Sequence, residues 1–151
     1  MVYLTLKKSM TLKVKKLKPW SVLPKRNKDR DAGLDLYSQE RVTLEPGKRY
    51  TFSLGIAIQL PPDTVGLVQS RSGLSNNHGL TTIGNVIDEG YTGEIHVILQ
   101  NNGQEVVEIN PSDRIAQLLV LPIHLPCVEE VELIESSSGR GEAGLGSSGT
   151  F

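Results

Sequence analysis

The chain has 151 residues, 38% of them apolar, and a formal net charge of -1 at pH 7, enough for one domain with a real core and too little for two. No apolar run reaches the roughly 18 residues of a membrane span, and no apolar leader precedes a small-residue cleavage site. The chain therefore reads as a soluble protein of the cytoplasm, nucleus or host-cell interior, neither secreted nor membrane-bound. Cys127 is the single cysteine, and His78, His96 and His124 lack ligand spacing, so neither a disulfide nor a structural metal is expected.

Ten of the sixteen Lys and Arg lie in the first thirty residues, where Asp29 is the only acid. Residues Leu12 to Leu17 alternate mostly apolar with basic, the pattern of an edge strand whose lysines face water and discourage pairing with other chains. The same lysines would also suit an anionic partner, but the rest of the chain is acidic, so no nucleic-acid surface is expected on the body.

Short alternating or β-branched runs follow in order: Arg41 to Leu44, Tyr50 to Gln59, Thr64 to Gln69, Thr81 to Ile83, Glu94 to Gln100, Glu105 to Ile109 and Gln117 to Pro122. Turn residues punctuate them, among them Pro46-Gly47, Pro61-Pro62-Asp63, Asn76-Asn77-His78-Gly79 and Asn110-Pro111-Ser112-Asp113. That spacing predicts an all-β sandwich or jelly roll, with at most a short helical turn after Ser72.

The segment Asn85-Val86-Ile87-Asp88-Glu89-Gly90-Tyr91-Thr92-Gly93-Glu94 places an acid and an aromatic ring on either side of an acid-glycine turn. It predicts a tight hairpin. A carboxylate held there by rigid strands can serve as a general base on water, and the ring can wall a sugar or a base. A surface hairpin without function has the same signature.

After Glu135 the composition changes, and Ser136 to Thr150 contains five Gly and five Ser around Arg140, Glu142, Ala143 and Leu145. This predicts a mobile tail. Gly, Ser and Arg interleaved in this way can also wrap phosphate, with freed backbone N–H groups, hydroxyls and a forked charge.

Five segments stand in order: Ala32-Gly33-Leu34-Asp35-Leu36-Tyr37-Ser38, Arg71-Ser72-Gly73-Leu74-Ser75, Gly84 to Glu94, Asp113-Arg114-Ile115-Ala116-Gln117-Leu118, and Arg140-Gly141 to Gly149. Together they resemble the five motifs of the trimeric dUTPases (dUTP diphosphatases). The resemblance implies a jelly-roll β domain over residues 10–135, an N-terminal extension over 1–9 and a tail over 136–151 that closes over the active site. It also implies a homotrimer with sites between subunits. The implied reaction is hydrolysis of dUTP to dUMP and pyrophosphate with Mg2+, by water attack on the α-phosphorus, which limits uracil incorporation into DNA and supplies dUMP for dTMP synthesis.

By the same resemblance Asp88 is the water-activating base, Tyr91 packs on the deoxyribose, and the backbone of Asn85, Val86 and Ile87 reads uracil. Arg71, Ser72 and Gly73 meet the phosphates, with an ion pair between subunits as the other reading for Arg71. Asp35 and Gln117 touch Mg2+ through its water shell, the metal being held directly by substrate phosphates, and either could instead be a buried structural polar group. Arg114 divides between facing phosphate and stabilising the trimer. In the tail, Arg140 grips the γ-phosphate, Gly146, Ser147 and Ser148 line the substrate, and Leu145 covers the base. The family usually has an aromatic residue at the position of Leu145, so base coverage here lacks stacking. Ala143, Ser148 and Asn85 also replace residues that are more often Gly, Thr and Gly.

A dCTP deaminase shares the implied fold but needs an acid beside the base, for which Glu89 and Glu94 are the nearby candidates. Some relatives are implied to have a regulatory protein partner, so a non-catalytic or dual-role binding protein is a further alternative.

Overall fold

The computed structural model describes residues 10–135. They form ten strands and one helix: β1 (Lys13–Lys16), β2 (Leu34–Tyr37), β3 (Val42–Leu44), β4 (Arg49–Gln59), β5 (Thr64–Gln69), α1 (Ser72–His78), β6 (Leu80–Ile83), β7 (Val86–Ile87), β8 (Glu94–Asn101), β9 (Val107–Ile109) and β10 (Arg114–Pro122). The strands make one sheet in the order β1-β4-β8-β6, a second in the order β2-β10-β5-β7, and a β3-β9 ribbon. All pairings between strands are antiparallel, so the all-β jelly roll expected from the sequence is the observed class. No helix among the described residues is long and apolar enough to cross a membrane.

The core lies between the two sheets and is built from their inward-facing residues. Along β8, Ile95, Val97 and Leu99 are buried at every second position, and Phe52 of β4 stands opposite Val97 with neither exposed at all. The second sheet contributes Leu36, Val68 and Leu118, and the ribbon Leu44, Val107 and Ile109. Each such side chain stabilises the fold by roughly 1.5–3 kcal/mol relative to exposure.

Alternation fails midway along β4, where the register with β8 shifts between Ser53 and Ala57. Gly55 occupies the break at φ +64°, and a Cβ there would fall 2.3 Å from Ser21 Oγ. Its N–H donates to the Glu94 carboxylate at 2.8 Å, and its carbonyl accepts from Leu17 N at 2.8 Å. The bulge thus ties the start of β8 to β4 and to the chain after β1.

Two polar devices close the far end of the molecule. Asn101, fully buried, donates through Nδ2 to the carbonyls of Leu44 (2.9 Å) and Glu105 (2.8 Å), and its Oδ1 accepts from Gly103 N (2.9 Å). Helix α1 ends on Gly79 at φ +68°, where a Cβ would lie 2.5 Å from Gly103 N, and a Cβ on Gly103 would lie 2.5 Å from the His78 carbonyl oxygen. The helix end and the turn after β8 therefore meet backbone to backbone.

Three local expectations change. The segment around Asp88 is not a hairpin between paired strands: β7 pairs with β5, as Gly66↔Ile87 and Leu67↔Val86, whereas β8 pairs with β4 and β6. The connection crosses from one sheet to the other, because the missing side chain of Gly66 lets Ile87 close onto β5; a Cβ there would stand 3.1 Å from Ile87 Cβ. Strand β2 is not among the expected runs, because Asp35 interrupts its apolar residues; Asp35 is 9% exposed. The helical turn after Ser72 extends to the seven residues of α1.

Asn101→Ala removes the side-chain partner of one buried and two part-buried backbone groups, and we expect it to cost about 2 kcal/mol in urea denaturation at fixed protein concentration. Asn102→Ala, which removes only an exposed bond to Thr81 Oγ1, should cost less than about 1 kcal/mol.

Candidate active site

Strands β2 and β10 lie side by side with Gln117 opposite Asp35, and the segment leaving β5 runs past them. Their side chains line a cleft of about 340 Å³ with Asp35, Arg71, Ser72, Gly73, Arg114 and Gln117 on its wall, and Asn27 and Asp31 on the loop before β2. Asp35 is the pivot of this cleft. Its Oδ1 is 3.2 Å from Arg71 Nε and its Oδ2 is 3.3 Å from Arg114 Nη1. Arg71 also donates through Nη1 to the Arg114 carbonyl at 3.0 Å. Arg71 is thus held by an ion pair within its own chain, and Arg114 joins the same cluster facing the cleft. Behind Asp35, burial pushes the Tyr37 phenol above its ordinary value of 10.0; Asp35 adds to this, and Arg114 and Arg71 oppose it.

Gln117 is positioned from both ends. Its Nε2 donates to the Ser70 carbonyl at 2.9 Å, and its Oε1 lies over Gly33, where a Cβ would come within 2.2 Å. Gly33 is therefore the residue that admits the Gln117 amide. At Gly73 a Cβ would meet nothing within 4 Å, so packing among the described residues does not itself require glycine there. The cleft combines two guanidinium groups, a hydroxyl and oxygen donors, a set suited to a polyanion accompanied by a hard cation.

A second cleft, of about 200 Å³, lies at the end of β7 and is lined by Val86, Ile87, Asp88, Tyr91, Glu94 and residues packed beneath them. The turn is closed by Tyr91 N donating to the Asp88 carbonyl at 3.0 Å. Tyr91 OH donates to the Glu94 carbonyl at 2.8 Å, and its ring lies back over Gly93, where a Cβ would meet the hydroxyl at 2.6 Å. The Asp88 carboxylate is exposed and makes no hydrogen bond to another described residue. Glu89 and Glu94, the acids that a deaminase reading would use, are both engaged: Glu89 Oε2 accepts from Asp63 N at 2.9 Å, and Glu94 Oε1 accepts from Gly55 N.

The sequence-selected residues thus fall into two groups. Asp35, Arg71, Ser72, Gly73 and Gln117 meet in the first cleft, and Val86, Ile87, Asp88 and Tyr91 in the second, with no lining residue in common. Asn85 links β7 back to the sheet through its carbonyl, which accepts from Val68 N at 2.8 Å. Strands β2 and β7 are the opposite edges of the second sheet, three strand spacings or roughly 14 Å apart. Arg140, Leu145, Gly146, Ser147 and Ser148 lie outside the described residues. The roles of Asn27, Asp31 and Gly33 in the cleft carried no sequence signal of their own, beyond Gly33 standing two residues before Asp35.

Comparison with known proteins agrees with this geometry. The dUTPase family model matches residues 20–149. The chain is 44% identical over 144 residues to a deoxyuridine 5'-triphosphate nucleotidohydrolase of Clostridium kluyveri, covering 94% of this chain and all of that one. A counterpart from Crocosphaera subtropica is 41% identical over 142 residues, covering 93% and 99% of the two chains. Among solved structures, the dUTPase of Staphylococcus bacteriophage 80alpha with dUPNHPP superposes with a TM-score of 0.85 at 35% identity, over 92% of this chain and 98% of that one. A mutant dUTPase from phage phi11 of S. aureus, described as revealing the coordination of a structural Mg(II) ion, gives 0.76 at 32% identity over 83% and 99%. By the family model, by identity across nearly its whole length and by fold, this chain belongs to the dUTPase family of deoxyuridine 5'-triphosphate nucleotidohydrolases.

Proposed function

We propose that this dUTPase cleaves dUTP to dUMP and pyrophosphate by attack of water on the α-phosphorus, in sites assembled between the copies of a homotrimer. The observation that supports composite sites is the separation of the two clefts. Arg71 follows the end of β5 and Arg114 opens β10, whereas Asp88 follows β7 beside the start of β5, so the two clefts of one chain stand apart and a nucleotide that uses both fits between copies.

Asp88 accepts the proton of the attacking water as its oxygen bonds to the α-phosphorus and the bond to the bridging oxygen of the leaving pyrophosphate breaks. Arg71 and Ser72 hold the phosphate chain, and Gly73 lets it approach the backbone. Mg2+, when bound, supplies charge neutralisation on the phosphate oxygens. The oxygen-rich first cleft fits a cation that keeps its waters: no cluster of three or more His, Cys, Asp or Glu among the described residues would strip them, and Asp35 and Gln117 would meet that water shell.

Tyr91, fixed through its hydroxyl, walls the deoxyribose where the extra 2′-hydroxyl of UTP would collide. The paired backbone of Asn85 to Ile87 reads uracil and leaves no room for a 5-methyl group. From the tail, Arg140 grips the γ-phosphate, Gly146, Ser147 and Ser148 line the substrate, and Leu145 covers the base.

Pyrophosphate release measured with dUTP, dTTP, UTP and dCTP should show turnover of dUTP alone. Asp88→Asn is expected to lower kcat by about 10²–10⁴-fold with KM for dUTP little changed; a loss below about tenfold would remove Asp88 as the base. Asp88→Asn and Ser72→Ala chains, each impaired alone, should recover activity when unfolded and refolded together, to about a quarter of the wild-type sites if copies assort at random. No recovery in mixed trimers would place both groups in one chain's site.

A further inference from the structure

Strand β6 is the edge of the first sheet, paired on one side only with β8. In an antiparallel ladder every second residue of an edge strand turns both its N–H and its carbonyl outward, and where that edge is buried each group needs a partner. Thr82, 8% exposed, is such a residue. Its N–H donates to Ser70 Oγ at 2.9 Å, and its carbonyl accepts a long bond from Asn85 Nδ2 at 3.4 Å. The two hydroxyls also meet, Ser70 Oγ to Thr82 Oγ1 at 3.2 Å.

Ser70 stands between the end of β5 and the start of α1, immediately before Arg71 and Ser72. Its side chain is held on Thr82, while its carbonyl accepts the Gln117 amide at 2.9 Å. A continuous polar path therefore runs from the Gln117 amide through Ser70 and Thr82 to Asn85. It joins the two sheets and spans the interval between the cation-lined cleft and the turn that carries Asp88.

We infer that Ser70 is a positioning residue of this enzyme: its hydroxyl, anchored on the edge of β6, sets where Gln117, Arg71 and Ser72 stand relative to the base-side turn. The inference rests on the proposed roles of those residues. Without the hydroxyl, the segment entering α1 keeps its covalent connections but loses its hold on the first sheet, and the carbonyl that orients Gln117 shifts with it. Displacements of this size at a group that orients substrate or its metal waters are felt mainly in turnover.

The test measures kcat, KM for dUTP, the Mg2+ concentration giving half-maximal rate, and Tm for the full-length wild type, Ser70→Ala, Ser70→Thr and Thr82→Val. For Ser70→Ala we expect kcat to fall about tenfold and the half-maximal Mg2+ concentration to rise about threefold, with KM changed less than about twofold. Ser70→Thr, which keeps a hydroxyl, should recover most of the loss. Thr82→Val keeps the backbone bond and removes the contact between hydroxyls together with a long bond from Thr82 Oγ1 to the Val68 carbonyl at 3.5 Å, so it should show the same pattern at about a two- to threefold loss in kcat. In the Ser70→Ala background it should add almost nothing.

Wild-type kcat and Mg2+ dependence in a folded Ser70→Ala would overturn the inference, as would a Ser70→Thr as impaired as the alanine variant. If Ser70→Ala does not fold, wild-type kinetics in Thr82→Val would overturn it. A wild type that turns over no dUTP would overturn the functional reading and this inference with it, whereas an active wild type beside an unaffected Ser70→Ala overturns the inference alone.

Discussion

A single carboxylate between two guanidinium groups organises the cation-lined half of this enzyme. Asp35 lies on β2, Arg114 at the start of β10 and Arg71 at the entry to α1, so the contacts at 3.2 and 3.3 Å cross-link three segments that are far apart in sequence. Without the acid, two cations would face one another beside a buried edge. A partly buried pair of this kind adds little net stability after desolvation, but its geometry is strongly specified. The two guanidinium groups are thereby held in one arrangement by the fold, and in the proposed reading much of the ordering cost of binding phosphate at Arg71 is met in advance.

The same arrangement limits what one copy can do. The arginines, after β5 and at the start of β10, and the exposed Asp88, after β7, stand in separate clefts, and the rigidity that fixes each group also keeps them apart. A flexible connection could have brought them together within one chain at the expense of precision. The jelly roll instead keeps both half-sites stiff and, in the proposed reading, leaves their meeting to symmetry, which repeats the alignment in each site.

Much of the fold was legible because strands of an antiparallel sandwich advertise themselves by alternation. Ile95, Val97 and Leu99 bury every second residue of β8, and the turn-rich punctuation sets the strand limits to within a few residues. Failures came where one residue carried two meanings. Asp35 in Leu34-Asp35-Leu36-Tyr37 breaks the apolar pattern of a short strand, and only its partners, 36 and 79 residues away in sequence, reveal a partly buried ion-pair cluster. The Glu89-Gly90 turn looks local, yet its flanking strands belong to different sheets. That partition depends on Gly66, whose missing side chain admits Ile87 and whose meaning is invisible until β5 and β7 are side by side. Asp88 and Tyr91 stand out in the residues around an acid-glycine turn, but that pattern also fits an ordinary surface turn, and only likeness to a family motif weights it toward a site. Ser70 and Thr82 left no such trace, since hydroxyl residues near strand ends are common and their pairing depends on which edge is exposed.

The meeting of Gly79 with Gly103 bears on how this sequence can change over time. Most close contacts tolerate drift because a larger residue on one side can be balanced by a smaller one on the other. Here both sides are already glycine, and the obstacle to each is the other's main chain or that of His78, so no exchange of volume between the two positions is open. The left-handed backbone at Gly79 adds a second, independent barrier. Neighbouring surface positions such as Asn76 and Asn77 are free to vary, while these two form a fixed point around which the end of the helix and the turn after β8 must be rebuilt together or not at all.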